Sequence, residues 1–182
     1  MATAPSVIYT AGHSTRPIDA FIGLLASRSV TCVADVRTVP RSRRNPQFGA
    51  EALAQSLAQA HIDYRPFPAL GGFRRARADS CNTGWRNASF RGYADYMGTP
   101  AFEAALDALI ALSDQATVAV MCAEAVPWRC HRSLIGDALV VRGIPVEEIV
   151  SDVKTEPHRL TPFARVSGTT ITYPPEPGSA ST

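Results

Sequence analysis

The fold is indicated by residues 117–143, which read TVAVMCAEAVPWRCHRSLIGDALVVRG. Residues 117–122 are an apolar run of strand length, which predicts a buried strand near the centre of a sheet. Residues 130–142 then carry apolar side chains at helical spacing, and Gly143 marks the end of that helix. A buried strand followed by an amphipathic helix is the repeating unit of a parallel α/β sheet.

The same alternation extends in both directions from this segment. Strands are predicted at 7–11, 30–36, 62–67 and 146–150, and helices after Pro17, at 51–60 and after Thr99. This order predicts a single α/β domain over residues 1–166, with a mainly parallel five-stranded sheet and helices on both faces. A sixth strand is expected if residues 169–173 add to an edge, within a C-terminal tail (167–182) that is otherwise expected to be loosely ordered.

Length and composition are those of one globular domain. The chain has 182 residues, of which 46% are hydrophobic and 19% charged. We find no apolar run of the roughly 20 residues that a membrane helix needs, no secretion signal, and only four scattered cysteines. We therefore expect a cytoplasmic protein with reduced thiols and no membrane partner. The sequence specifies neither a cofactor nor an oligomeric state.

Positive charge is concentrated between Arg37 and Arg91. This segment has ten arginines and three acidic residues, a net charge of +7, which leaves −5 for the rest of a chain whose total is +2. Because guanidinium groups suit carboxylates and phosphates, an anionic small molecule or a nucleic acid is one interpretation, and a solvated charged face is the other. Within it, the arginine- and aromatic-rich connection 70–98 is longer than ordinary loops and is predicted to fold as a lid.

Polar residues follow the carboxyl ends of three predicted strands, where open parallel sheets bind their ligands. These ends should therefore meet in one pocket. The catalytic candidates are Cys122, Glu124, Cys130, His13 and Asp35. The substrate-binding candidates are Ser14, Thr15, Arg37, Arg41, Arg44, Trp128, His131 and Arg132.

The two cysteines have both chemical and structural interpretations. Cys130 opens a predicted helix, whose N-terminus would stabilise a thiolate nucleophile, and the neighbouring Arg129, His131 and Arg132 would add to that effect. Cys122 is either a nucleophile or a small buried hydrophobic residue. The ligand types Cys122, Cys130 and His131, with His13 or Glu124, also suit zinc. However, adjacent helical residues diverge by about 100°, so Cys130 and His131 would not easily share one ion, and we assign no metal ligand.

The remaining candidates also have both a functional and a structural interpretation. Glu124 is a general base, a ligand of a sugar hydroxyl or base edge, or the ion-pair partner of Arg132 or of an arginine in the 37–44 loop. Asp35 either transfers a proton or holds Arg37 or His13. Ser14 and Thr15 are helix caps or offer backbone amides to an anion. Trp128 stacks on a nucleobase or belongs to the core.

Five segments resemble one known family. They are GHST at 12–15, ADVRTVPRSRRNPQF at 34–48, LGGFR at 70–74, FRGYADYM at 90–97 and MCAEAVPWRCHR at 121–132. Their order over about the first 160 residues is similar to that of the domain of unknown function family 488. The resemblance implies an α/β fold and a motif-lined site, and it brings no established reaction.

Three functions remain open on this reading. The first is an enzyme acting on a phosphorylated small molecule, a nucleotide or a nucleic-acid end. The second is a non-catalytic module that binds nucleic acid, with affinity that falls steeply with salt. The third is a redox sensor based on a metal or on a reversible bond between Cys122 and Cys130.

Overall fold

The structure, a computed structural model that describes residues 6–177, is built on a six-stranded sheet. Its strands are β1 (Ile8–Gly12), β2 (Cys32–Asp35), β3 (Asp63–Pro66), β4 (Val118–Cys122), β5 (Val146–Ile149) and β6 (Thr155–Pro157). The spatial order is β3-β2-β4-β1-β5-β6, parallel except that β6 runs antiparallel to β5. The predicted α/β class and mainly parallel sheet are confirmed.

Helices cover both faces of this sheet, as predicted. In the described residues they are α1 (Ile18–Ala26), α2 (Ala50–Gln59), α3 (Ala88–Met97), α4 (Pro100–Ser113) and α5 (Arg132–Val141). The buried side chains of α1 and α2 share one core with one face of the sheet, and those of α3, α4 and α5 share the other. Within residues 6–177 no helix is both long enough and apolar enough to cross a membrane.

Local sequence explains why the predicted elements form. Every residue of β4 is buried, as the apolar run predicts for a central strand. Helix α4 begins at Pro100, and the Thr99 hydroxyl accepts a hydrogen bond from the amide of Phe102 at 3.3 Å, which is an ordinary N-cap. Helix α5 begins at Arg132, so Cys130 lies before the helix and not in its first turn.

The sixth strand of the main sheet is not the predicted one. It is β6 at 155–157, whereas residues 170–172 pair with Arg165–Ser167 in a separate two-stranded antiparallel sheet. Part of the tail packs tightly, because Tyr173 is fully buried and its hydroxyl donates to Asp137 at 2.8 Å. The predictions made for residues 1–5 and 178–182 lie outside the described part of the chain.

The long connection 70–98 is folded onto the domain and contains α3, which the sequence did not predict. The Asp95 carboxylate receives the amide of Arg77 at 2.8 Å and the side chains of Ser80 and Asn82 at 2.6 and 2.8 Å. The Tyr93 hydroxyl donates to the carbonyl of Leu70 at 2.8 Å. These bonds fix the connection beside the carboxyl ends of the strands, and its opening as a lid stays a prediction.

The topology opens a crevice between β1 and β4. These strands are neighbours, but the chain leaves β1 towards α1 on one face and leaves β4 towards α5 on the other. Such a switch point is where open α/β sheets bind ligands. The loop after β4 passes directly over Gly12, where a Cβ atom would lie 1.7 Å from the carbonyl oxygen of Glu124. Only glycine fits at this position.

Candidate active site

A cavity of about 820 Å³ opens at the carboxyl ends of β1, β2 and β4, and we call it the strand-end cavity. Three predicted candidates, Asp35, Trp128 and Arg132, do not line it. The other ten do: His13, Ser14, Thr15, Arg37, Arg41, Arg44, Cys122, Glu124, Cys130 and His131. The three strand ends therefore meet in one cavity, as their order in the sequence predicts.

Two cysteines form a close pair in the wall of this cavity. The Sγ atoms of Cys122 and Cys130, which we call the thiol pair, lie 2.7 Å apart, and both thiols are free. Cys122 ends β4 and is 2% exposed, while Cys130 is 5% exposed. A short 3₁₀ turn at Pro127–Arg129 brings Cys130 back to the strand end, because the Cys130 amide donates to the carbonyl of Pro127 at 3.0 Å.

The surroundings of the thiol pair favour the thiolate form of Cys130. A hydrogen bond from the Cys122 thiol lowers the pKa of Cys130 to about 4, against the effect of burial, and His131 and Arg132 lower it further. Burial and the hydrogen bond with Cys130 raise the pKa of Cys122 well above its usual value. Two interacting groups this close titrate as a unit, and these opposite shifts favour a pair made of one thiol and one thiolate. A thiolate is the form of cysteine that reacts as a nucleophile.

His131 stands beside this thiolate with a defined ring orientation. Its Nε2–H donates to the carbonyl of Val36 at 2.9 Å, which leaves Nδ1 at 3.6 Å from the Cys130 Sγ. A nucleophile, a neighbouring base and a group that orients the base form the usual arrangement of an activated thiol. Helix geometry led us to expect that Cys130 and His131 diverge, and that expectation is wrong because Cys130 lies before α5.

The LGGFR motif packs against the same histidine. A Cβ atom at Gly71 would lie 2.4 Å from the Thr38 hydroxyl, and one at Gly72 would lie 3.2 Å from Nδ1 of His131. Phe73 follows with a positive φ of 58° and an 86% exposed side chain at the cavity mouth. The two glycines therefore allow the connection to form one wall of the strand-end cavity close to the thiol pair.

Arg132 supports the thiol pair from below the cavity. Its Nε donates to the Cys122 Sγ at 3.0 Å, and its Nη2 donates to the carbonyl of Glu124 at 2.7 Å. Its Nη1 forms an ion pair with Glu148 at 3.0 Å, and the two side chains are 0% and 11% exposed. Burial lowers the pKa of Arg132, but its interactions with Cys122, Glu148 and Cys130 outweigh burial and raise it.

Glu148, the ion-pair partner of Arg132, was not predicted from the sequence. It lies in β5, its carboxylate also accepts a hydrogen bond from the Thr10 hydroxyl, and burial raises its pKa. An acidic residue within a strand that is otherwise buried is the only signal that could have identified it. The alternative ion pair between Arg132 and the Glu124 carboxylate is not formed, since Arg132 binds only the backbone of Glu124.

Asp35 and Arg37 form a buried clamp next to the cavity. Arg37 donates from Nε and Nη2 to the two Asp35 oxygens at 2.9 and 2.7 Å, and the Tyr64 hydroxyl donates to Asp35 at 2.7 Å. Arg37 also donates from Nη1 to the carbonyl of Phe48 at 2.7 Å. Most of its donors are therefore engaged within the protein, which corresponds to the interpretation that Asp35 holds Arg37.

His13 is part of the same clamp. Its Nδ1–H donates to the carbonyl of Ser14 at 2.8 Å, and its Nε2 accepts from Arg37 at 3.4 Å. The ring stacks on Phe48 with centroids 4.1 Å apart, and burial lowers the pKa of His13. Both nitrogens are thus engaged in the neutral ring, which leaves no free lone pair for a substrate proton.

Three arginines in the strand-end cavity remain available for a ligand. Arg41, Arg44 and Arg129 are exposed, and their guanidinium groups make no ion pair or hydrogen bond within residues 6–177. The exposed Glu124 carboxylate is likewise without a partner in the described chain. Arg129 was not among the predicted substrate-binding residues, although it was expected to help stabilise a Cys130 thiolate. Its position in the sequence, next to Cys130, was the available signal.

Three further predictions differ from the structure. The Ser14 amide donates to the carbonyl of Ala123 at 2.9 Å, so it is not available to an anion. Neither Ser14 nor Thr15 caps α1, whose N-cap is Pro17 without a side-chain hydrogen bond. Trp128 is 68% exposed and lines a second cavity, on the other side of the loop after β4. Within residues 6–177 no group of three or more histidine, cysteine, aspartate or glutamate side chains could hold a metal ion.

Fold and cavity together define an α/β protein with a pair of thiols at the carboxyl ends of a parallel sheet. The chain belongs to the family described as domain of unknown function DUF488, whose model matches residues 17–139. The matched range contains four of the five motifs, and GHST at 12–15 precedes it. No curated protein and no solved structure matches the chain.

Proposed function

We propose that this protein is an enzyme that acts on an anionic substrate in the strand-end cavity, with the thiolate of Cys130 as the nucleophile. The observation that carries the proposal is the thiol pair, in which Cys130 has a pKa of about 4 and its Sγ lies 2.7 Å from that of Cys122. A structural cysteine buried in apolar surroundings has a raised pKa, as Cys32 has at about 11. Cys130 differs from such a cysteine in the direction that reactivity requires.

The cavity walls favour a negatively charged substrate. Arg41, Arg44 and Arg129 supply three positive charges that have no partner within residues 6–177, against one carboxylate from Glu124. Guanidinium groups hold carboxylate or phosphate oxygens with two parallel hydrogen bonds, which orients a substrate as well as binding it. The Nδ1 atom of His131, in its protonated form, would then deliver a proton to the leaving group, and the Glu124 carboxylate would act as a base, because Asp35 is committed to Arg37 and Tyr64.

Alkylation of Cys130 in the presence and absence of an anion tests both halves of the proposal. Iodoacetamide should modify Cys130, as identified by mass spectrometry, and inorganic phosphate should slow that modification. The double variant Arg41→Gln/Arg44→Gln should lose the protection, whereas Arg86→Gln, at an exposed arginine outside the cavity, should keep it. Modification confined to the exposed Cys81, with no effect of phosphate, would contradict the proposal.

A second candidate function is a thiol redox switch, which the 2.7 Å contact between the two Sγ atoms specifically favours. A reversible bond between Cys122 and Cys130 would then be the signal itself. The cytoplasm is the compartment that we propose for either function, because its reducing conditions keep paired thiols free between turnovers.

A further inference from the structure

We infer that Cys122 is a resolving thiol and that the site exchanges its dithiol for a disulfide with an anionic low-molecular-weight disulfide. The inference rests on the proposed function, since Cys130 must first attack the substrate. It assigns the otherwise unexplained second cysteine to the reaction and gives the substrate a chemical class.

The positions of the two sulfurs suit sequential attack. A disulfide bond is about 2.03–2.05 Å long, so the Sγ atoms at 2.7 Å need to approach by only a fraction of an ångström to become bonded. Cys130 is 5% exposed and Cys122 is 2% exposed, and both line the strand-end cavity. Cys130, the more exposed residue of the two, would meet the substrate first, and Cys122 would meet the product of that attack.

The steps balance without an external oxidant other than the substrate. The Cys130 thiolate attacks one sulfur of RS–SR, forming the Cys130–S–SR bond and releasing RS⁻. Cys122 gives up its proton to the released thiolate and attacks the Cys130 Sγ, which forms the Cys122–Cys130 bond and releases a second RS⁻. The protein loses two electrons and one thiol proton, and the disulfide substrate is reduced to one thiol, RSH, and one thiolate, RS⁻.

Arg132 is the positioning residue for the second step. After the first attack, Cys130 no longer offers a thiolate that accepts the proton of Cys122. The Arg132 Nε, 3.0 Å from the Cys122 Sγ, then stabilises the Cys122 thiolate. Glu148 fixes that guanidinium through an ion pair at 3.0 Å.

The disulfide of dithiobis(nitrobenzoate), a dianion that releases a coloured thiolate, is a direct probe. The parent protein for this test carries Cys81→Ser, which removes the exposed thiol. We expect two coloured thiolates per chain and no retained adduct, because the second attack expels the first adduct. With Cys122→Ser added, we expect one thiolate and a mixed disulfide that stays on Cys130. Cys32→Ser, at a buried cysteine outside the cavity, should behave like the parent.

Peptide mapping of the parent protein tests, without a variant in the site, whether Cys122 resolves the mixed disulfide on Cys130. Trypsin cleaves after Arg129, so Cys122 falls in peptide 92–129 and Cys130 in peptide 130–132. After treatment with the probe, the two peptides should be joined by a disulfide. If the parent instead keeps the mixed disulfide on Cys130, Cys122 does not resolve it and the inference fails while the proposed function stands. If Cys130 does not react at all, both fail.

A comparison of an anionic with a cationic disulfide tests whether the substrate is anionic. Oxidised glutathione is anionic and cystamine is cationic, and both contain an aliphatic disulfide. We expect the anionic compound to oxidise the thiol pair faster, and we expect Arg41→Gln/Arg44→Gln to remove the difference but Arg86→Gln to leave it. Equal rates in the parent protein would overturn the assignment of an anionic substrate.

Discussion

The rate at which iodoacetamide alkylates Cys130 should stay nearly constant between about pH 5.5 and pH 8.5. An ordinary thiol has a pKa of about 8.5, so its reaction accelerates about tenfold per pH unit over this range. Cys130, with a pKa of about 4, is already ionised at the lower limit. The flat profile follows from the hydrogen bond of Cys122 and the positive charge of Arg132, which stabilise the thiolate form.

Two opposing effects set the alkylation rate of Cys130 relative to that of an ordinary thiol. At about pH 5.5 an ordinary thiol is ionised to about one part in 10³, so complete ionisation gives Cys130 an advantage of about 10³. A thiolate also loses nucleophilicity as its pKa falls, with a Brønsted coefficient of about 0.4–0.5, which costs Cys130 about 10² over the difference in pKa. From these two effects together, Cys130 should react about tenfold faster than an ordinary thiol at pH 5.5 and about equally fast near pH 6.5. At pH 8.5 it should react about fiftyfold more slowly.

The shape of the profile is therefore the decisive measurement, because burial of Cys130 lowers all of its rates together. The assay uses the Cys81→Ser protein, quantifies alkylated Cys130 by mass spectrometry, and repeats the series in urea. Unfolding should restore the tenfold rise per pH unit, since the contacts with Cys122 and Arg132 are then lost. A native protein whose rate rises throughout this range as steeply as in urea would refute the thiolate assignment.

Three stability predictions follow from other contacts, each measured by urea unfolding. Arg132→Met should lower the free energy of unfolding by about 3–5 kcal/mol because Glu148 is left buried without its partner, and the double variant Arg132→Met/Glu148→Leu should lower it by less. Equal losses in the two variants would show that the unpaired Glu148 is not the cause. Gly12→Ala should lower the free energy of unfolding by about 1–3 kcal/mol or more, because the new Cβ atom clashes with the backbone of Glu124. Gly23→Ala, in an exposed and open part of α1, should raise it by about 0.5–1 kcal/mol. Tyr173→Ala should cost about 3–5 kcal/mol, and a loss below about 1 kcal/mol would mean that the tail is not part of the folded domain.

The sequence predicted the sheet well where its strands are buried. β4 reads as an apolar run because both of its faces are covered, and β1, β2 and β5 follow the same rule. β6 has no such pattern, since it is a three-residue edge strand that ends in a proline, and its position depends on pairing with β5. Helix α3 was missed because its buried side includes Gly92 and Ala94, which give little hydrophobic signal.

The meeting of the strand ends was predictable, but the geometry of the thiol pair was not. Polar residues at the ends of three adjacent parallel strands must lie near one another, whatever the details of the loops. The contact between Cys122 and Cys130 instead depends on the 3₁₀ turn at 127–129, whose formation cannot be inferred from side-chain type or spacing. The support of Arg132 by Glu148 joins residues 16 positions apart on different elements, which no local pattern records.

The arginines show why a count of charges is a poor guide to a binding site. Arg37 and Arg132 were predicted to bind substrate, but each is nearly buried and paired with a carboxylate, from Asp35 and Glu148. A buried ion pair is almost neutral from a distance, so these two arginines contribute little attraction for an anion in the cavity. They act instead on the protein's own groups, and Arg132 in particular favours the thiolate form of the thiol pair. Attraction of a substrate is left to the exposed arginines of the cavity, whose fields are screened by salt, whereas the buried thiolate is largely shielded from it.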